Sequence, residues 1–341
     1  MLANKMISVV ISGVRYREFD LLFSVNEIKK IFPAAEIILS SNDKELIYRY
    51  KEENLFDKVI LTDAFGELPS LKFPEGLDSA LINNNINLQI DANYKGISAA
   101  SHDLVLKLRT DQVLIGDSIF KLWSKLEDIN PVTNKKGLIL TSSIFSINPR
   151  YSERMPFHIS DMLQLGYKSD LLSYYSAPTY PFEYATWYER NNHAGYSNSN
   201  EKAFRSKYAV EQWLTMHYIY EHESHFPVSF HNDYSEAKIT EFEQQFPRYF
   251  FVAHPDDIGL RVSKFESARS YFNTQCYSTH ESIKLLSNLF PQYQIDNSYN
   301  VKGINKNFYH YLKFFLDRKV IQLMIKNMPV GLKKKLKKII S

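Results

Sequence analysis

Cysteine occurs once in the 341 residues, at position 276. A single thiol excludes an internal disulfide and a cysteine-built zinc cage, and it suits a reducing cytoplasm. Cys276 also lacks the accompanying histidine signature of a nucleophilic cysteine. No apolar run reaches the roughly eighteen residues that a membrane-crossing helix needs. The opening MLANKMISVVISGV has no basic region, long apolar stretch or small-residue cleavage site, so it reads as a first strand and not as a secretory leader. Gly-x-Gly-x-x-Gly is missing after that strand, and Gly-x-x-x-x-Gly-Lys-Ser/Thr is missing everywhere. Dinucleotide dehydrogenases and P-loop NTPases thereby lose their main signature. Excess charge is scarce too: the formal net charge is +3, too small for a polyanion binder, and nucleic acid is not an expected partner.

What is present is a globular composition, 44% apolar and 14% aromatic, in a chain long enough to bury a sizeable core. MISVVISGV (6–14) is a β-branched run suited to a central parallel strand. LLFSVNEIKKIF (21–32) has helical spacing, AEIILSS (35–41) is a second strand, KELIYRYKEENL (44–55) a helix and DKVILTD (57–63) a third strand. This alternation with short connections predicts an α/β protein with a doubly wound, mostly parallel sheet. LINNNINLQIDANYKGISAAS reads as a long helix, LVLKLRTD as a fourth strand, 117–128 as a helix capped by Asp117 and 137–148 as a fifth strand. A helix is expected at 208–222, and mixed helix and loop over 236–300.

Ligands of such sheets sit beyond the carboxyl ends of the strands. Polar residues collect there: Gly13 and Arg15 after the first strand, Ser41 and Asp43 after the second, Asp63 after the third, and Arg109 and Asp111 closing the fourth. An aspartate can hold a divalent cation bridging two phosphates, and an arginine can fork onto phosphate oxygens. A nucleotide-sugar enzyme needs that chemistry, because its leaving group is a nucleoside diphosphate. The plainer alternative is a structural Arg–Asp ion pair at a strand end.

The ordered series ISVVISGV, IKKIFPAAEIILSS, KVILTD, NINLQIDANYKGISAA and LVLKLRTD, followed by FHISDMLQLGYKSDLLSYY and AVEQWL, resembles the WavE lipopolysaccharide synthesis family over about residues 6–225. The resemblance implies a nucleotide-diphospho-sugar-transferase fold of the glycosyltransferase-A type. It also implies sugar transfer from a nucleotide-sugar donor to a lipopolysaccharide, O-antigen or capsule glycan acceptor. Arg109-Thr110-Asp111 then stands where the fold carries Asp-x-Asp, with Asp111 in the place of the metal ligand. Arginine at the first position leaves a manganese or magnesium ion an open question, since Arg109 can itself neutralise phosphate. Asn87, Gln89 and Lys95, on the helix before that strand, would lie beside the ribose and pyrophosphate.

A base for the acceptor hydroxyl is needed if configuration inverts. Asp161 in FHISDML and Glu211 in AVEQW are the candidates. Asp161 has the alternative of capping a helix MLQLGY, and Glu211 that of an exposed helical carboxylate. Tyr174, Tyr175, Tyr180 and Trp187 offer faces for sugar stacking, or core packing.

A second motif competes. FFVAHPDDIGL (250–260) resembles the metal motif of zinc-dependent sugar de-N-acetylases, in which His254 and Asp257 would bind zinc and Asp256 would act as base. In those enzymes the motif opens the fold and a downstream His-x-x-His adds a ligand. Here only His280 and His310 follow, unpaired, while His222 and His225 lie upstream. A non-catalytic nucleotide-sugar- or glycan-binding member of an assembly complex is a further alternative, favoured by the missing first carboxylate.

Residues 309–341 carry nine Lys or Arg against one acid, Asp317, with apolar residues at helical intervals. Such a tail suits the anionic surface of a membrane, here the inner face of the cytoplasmic membrane, near a lipid-linked glycan. The expected organisation is a catalytic domain over 1–300, its nucleotide-sugar half 1–115 and acceptor half 116–300, followed by the tail, 301–341.

Overall fold

The computed structural model describes residues 6–63, 67–74, 84–129, 133–151, 153–221, 225–293 and 295, together with 306, 327–329 and 331–332. In chain order the elements are β1 (Ile7–Ser12), α1 (Leu21–Ile31), β2 (Glu36–Ser41), α2 (Lys44–Tyr50), β3 (Lys58–Leu61), α3 (Ile86–Ala99), β4 (Leu104–Arg109), β5 (Gln112–Leu114) and α4 (Ser118–Leu126). They continue with β6 (Ile139–Ser142), β7 (Gln164–Tyr167), α5 (Lys168–Tyr175), the single turns α6 (Phe182–Ala185) and α7 (Ser199–Lys202), α8 (Val210–Ile219) and α9 (Glu236–Tyr249). β8 (Phe250–Ala253), β9 (Leu260–Val262), α10 (Arg269–Gln275) and α11 (Thr279–Leu289) complete the described chain.

Seven strands form one sheet in the order β3-β2-β1-β4-β7-β6-β8, and β5 pairs with β9 in a small second sheet. Only β7 runs against its neighbours in the large sheet. This is the mostly parallel, helix-flanked α/β sheet that the alternation of strands and helices predicted. β1 is buried along its whole length, as its β-branched run requires of a strand covered on both faces. Alternate residues feed two cores. Val9, Ile11, Leu106 and Leu108 pack with Val25 of α1 and Trp123 of α4. Val10 and Val105 pack with Ile90 of α3, Leu171 of α5 and Leu214 of α8.

Side-chain caps place the first two helices: Asp20 accepts from Leu22 N at 3.0 Å and Asp43 from Leu46 N at 3.1 Å. Asp117 does not cap in this way; its carboxylate takes Lys121 at 2.8 Å instead. Three further expectations change. The second helix stops at Tyr50, short of 55, and the fifth expected strand shrinks to Ile139–Ser142. MLQLGY is not a helix: Gln164–Tyr167 is the antiparallel strand β7, paired to both β4 and β6, so no helix follows for Asp161 to cap. β5 and β9 escaped the sequence reading because three-residue strands exist through pairing between distant segments. Their ladder folds the chain after β9 back toward Arg109.

Candidate active site at the strand ends

The carboxyl ends of β1, β2 and β4 open onto a cavity of about 200 Å³. Its walls come from Ser12 and Gly13 after β1, Asn42 after β2, Gln89 and Asn93 on α3, Lys107 and Arg109 on β4, and Asp161, with Tyr16 and Lys264 at the side. Gly13 sits at φ +130°, and a Cβ there would come within 2.9 Å of Thr110 Oγ1, so only glycine suits the turn. That turn is pinned: Ser41 Oγ donates to Gly13 O at 2.6 Å, and Thr110 Oγ1 donates to Val14 O at 2.6 Å. Ser41 therefore supports the wall and does not face the cavity. On α3, Asn93 Oδ1 accepts from Ser12 Oγ at 2.5 Å. The side-chain oxygen of Gln89 is buried with no protein partner, a polar atom on the wall that a ligand can satisfy.

Arg109 and Asp111 form a forked ion pair: Nε donates to Oδ1 at 2.9 Å and Nη2 to Oδ2 at 3.2 Å. Nη2 also donates to Tyr16 Oη at 2.7 Å, and the guanidinium lies 5.4 Å from the Phe265 ring centre. Burial works against the charge on Arg109, but Asp111 and Tyr16 outweigh it and raise its pKa. Asp111 itself is fully buried and does not line the cavity. Its carboxylate aligns Arg109 from behind. A divalent cation prefers several oxygen ligands, yet only one carboxylate, Asp161, reaches the cavity. Among the described residues no cluster of three acidic, histidine or cysteine groups is placed to hold a metal. Asp111, expected as the metal ligand, is instead buried with both oxygens engaged by Arg109, and the carboxylate that faces the cavity is Asp161.

Lys107 was missed by the sequence reading. It lies on the same face of β4 as Arg109 and is almost wholly buried, 2% exposed. Its Nζ donates to the backbone oxygen of Asp161 and lies 5.8 Å from the Tyr175 ring centre. Burial pushes its pKa down to about 8, with Asp161 pulling the other way. The available signal was a lysine inside LVLKL, where a buried strand has no use for one.

Asp161 enters the cavity from the turn before β7. Glu211, in the first turn of α8, is partly buried, and its Oε2 lies 3.4 Å from His158 Nε2. The other ring nitrogen of His158 bonds to Phe145 O at 2.8 Å. Burial raises the Glu211 pKa; His158 opposes that shift and Asp161 adds to it. Phe145 and Phe157, on either side of this pair, both hold positive φ, 62° and 63°. Non-glycine residues there cost about 1–3 kcal/mol each and tend to mark functional sites.

Four predicted residues thus share one cavity, Gly13, Gln89, Arg109 and Asp161, with Ser41 and Asp111 behind its walls and Glu211 close by. Four others lie apart. Arg15 pairs with Glu45 and lines a neighbouring cleft of about 290 Å³. Lys95 is tied to Asp63 at 2.6 Å and Asp91 at 3.0 Å on the outer side of α3. Asn87 Oδ1 accepts from Tyr180 N at 2.6 Å, which is a structural bond.

The His-Pro-Asp-Asp segment has no open ligand set. His254 Nε2 is bonded to Asn273 Oδ1 at 2.6 Å, Asp256 pairs with Arg269 at 2.7 Å and Arg261 at 3.1 Å, and Asp257 accepts from Thr279 Oγ1 at 2.5 Å. These bonds close the turn after β8, and the zinc reading is corrected accordingly. Tyr174, Tyr175 and Tyr180 are core residues, and Cys276 is buried with its thiol pushed up by desolvation.

The class that fold and site define is an α/β protein with a polar, cation-rich pocket at its parallel strand ends. The chain matches the WavE lipopolysaccharide synthesis family over residues 7–327 and belongs to it. No curated protein matches the sequence. Similar solved structures include residues 1–349 of TarS from S. aureus in complex with UDP, at 9% identity and a TM-score of 0.31 over 90% of this chain and 78% of that one. The apo form of the glycosyltransferase GlyE of Streptococcus pneumoniae TIGR4 is similar at 12% identity and a TM-score of 0.30, over 64% of this chain and 44% of that one. The bifunctional IspDF from Campylobacter jejuni is similar at 11% identity and a TM-score of 0.28, over 51% of this chain and 44% of that one. The chain thus spans less than half the length of GlyE or IspDF. At such scores these likenesses carry no argument about the site.

Proposed function

We propose that this protein is a glycosyltransferase that moves a sugar from a nucleoside-diphosphate donor to a glycan of lipopolysaccharide, O-antigen or capsule. One observation carries the reading: a cavity at the carboxyl ends of parallel strands, lined by the cations Lys107, Arg109 and Lys264 and by the single carboxylate Asp161. The cations neutralise the diphosphate as charge develops on it. Asp161 takes the proton of the acceptor hydroxyl as that oxygen bonds to the anomeric carbon. The bond from that carbon to the phosphate oxygen breaks, and the nucleoside diphosphate leaves with the electron pair. Glu211 with His158 is the second candidate base.

The test is release of nucleoside diphosphate from a panel of nucleotide sugars in the presence of a glycan acceptor. Asp161→Asn should lower kcat by about a hundredfold or more with donor affinity nearly unchanged, and Glu211→Gln in parallel identifies the other base if the loss falls there. Donor binding without turnover would make the protein a binding member of an assembly complex. The absence of both binding and turnover across the whole panel would overturn the proposal.

The tail is proposed to tether the enzyme to anionic membrane. Nearly all of it lies outside the described residues. Lys306, at its start, donates to Cys276 O at 2.6 Å and pairs with Glu281, which holds that residue against the domain.

A further inference from the structure

Three charges around the cavity are incompletely satisfied. Lys107 Nζ carries three N–H donors and, among the described residues, has one hydrogen-bond acceptor, the Asp161 backbone oxygen, with no carboxylate bonded to it. A buried ammonium so placed is costly unless an anion completes it. Arg109 commits Nε and Nη2 to Asp111 and Tyr16, leaving Nη1 without a bonded partner among the described residues. Lys264 is exposed on the loop after β9; among the described residues its Nζ has ring faces beside it, 5.3 Å from the Phe265 centre and 6.0 Å from that of Tyr16. All three line the same space. They come from the middle of β4, the end of β4 and a loop brought over by the β5–β9 ladder, and their only acidic neighbour on that wall is Asp161.

The carboxylate in the sequence position of a metal ligand is unavailable. Asp111 is buried and both its oxygens are engaged by Arg109. A cation there would compete with that pair and place a dication beside a buried guanidinium, so the Arg109–Asp111 pair disfavours a metal at Asp111.

We infer that this site binds the diphosphate of its donor directly, without a divalent cation, through a clamp made of Lys107, Arg109 and Lys264. The inference rests on the glycosyltransferase reading and deepens it. Lys107 supplies a fixed ammonium at the floor. Arg109, aligned by Asp111, presents Nη1 to a phosphate oxygen. Lys264 reaches in from the mouth. The ligand class is a nucleoside diphosphate; the base is left open, with Gln89 and Asn93 on the α3 wall as its polar neighbours.

Calorimetric titration with UDP, GDP, CDP and ADP, each in EDTA and in manganese or magnesium, tests this on the full chain. One nucleotide should bind with the same Kd, within about twofold, in EDTA and in metal. Its affinity should fall steeply with salt, as ionic contacts do. Lys107→Met should raise that Kd about ten- to a hundredfold, the usual effect of losing a charge-assisted bond. Lys264→Ala, at an exposed position that cannot unfold the domain, should raise it less and flatten the salt dependence. Binding that requires metal overturns the clamp and leaves the glycosyltransferase reading standing. Parent-like Kd values in both variants also overturn it. Failure of every nucleotide to bind in either condition removes the glycosyltransferase reading itself.

Discussion

A lysine in the middle of a buried strand has to be explained by what it faces. Lys107 has the polar cavity in front of it and the Tyr175 ring beside it, and its pKa falls from 10.5 to about 8 because water is excluded. Between those two values the unfolded chain holds more protons than the folded one, so stability rises with pH through that window. The full difference is worth about 3 kcal/mol. Lys107→Met should therefore be at least as stable as the parent at pH 7, and its advantage should shrink from pH 8 to 10. Urea unfolding at each pH measures this; parallel curves for the two proteins would refute it. The same residue marks what was legible at this scale. Gly13 and Arg109 could be picked out because strand ends are where ligands sit, and Asp161 as a candidate base. Asp111 could be picked out but not oriented, since burial by its own neighbour is invisible in RTD.

At the scale of elements, α3 is the wall that sets the cavity's shape. It lies so close to the sheet that a Cβ on Gly96 would come within 2.6 Å of Val10 Cγ1 and 2.9 Å of Ser40 Cβ. Gly96→Ala should cost about 1–3 kcal/mol by overpacking, despite alanine's better helix propensity, and should weaken donor binding because Gln89 and Asn93 ride on the same helix. A denaturant midpoint equal to the parent's would show that the helix yields freely. The helices and parallel strands of the first half were readable from their periodicity. β8, a parallel strand beside β6, was not, since 236–300 reads as helix and loop; nor was β7, because MLQLGY fits a short helix as well as a strand, and its pairing with β4 and β6 decides the matter. That one element changes the role of Asp161 from possible helix cap to cavity residue.

At the scale of the whole molecule, one seven-stranded sheet joins the half built on β1–β4 to the half built on β6–β8. The proposed nucleotide-sugar and acceptor halves therefore share a core. No helix among the described residues is long and apolar enough to cross a membrane. Each lysine near an anionic surface contributes about 1 kcal/mol, so the proposed tether would rest mainly on the KKKLKK cluster. Deleting residues 309–341 should abolish flotation with liposomes containing anionic lipid and leave nucleotide binding intact; unchanged flotation would defeat the tether.

The sequence by itself determined the α/β class, the alternation of strands and helices in the first half and the region where polar groups gather, because hydrophobic periodicity and turn residues act locally. Only the tertiary structure decided which charges look into the cavity. Side-chain direction, burial and ion pairing depend on distant segments, the β5–β9 ladder and β7 above all. Through them a lysine became part of the pocket and an aspartate was withdrawn behind its arginine.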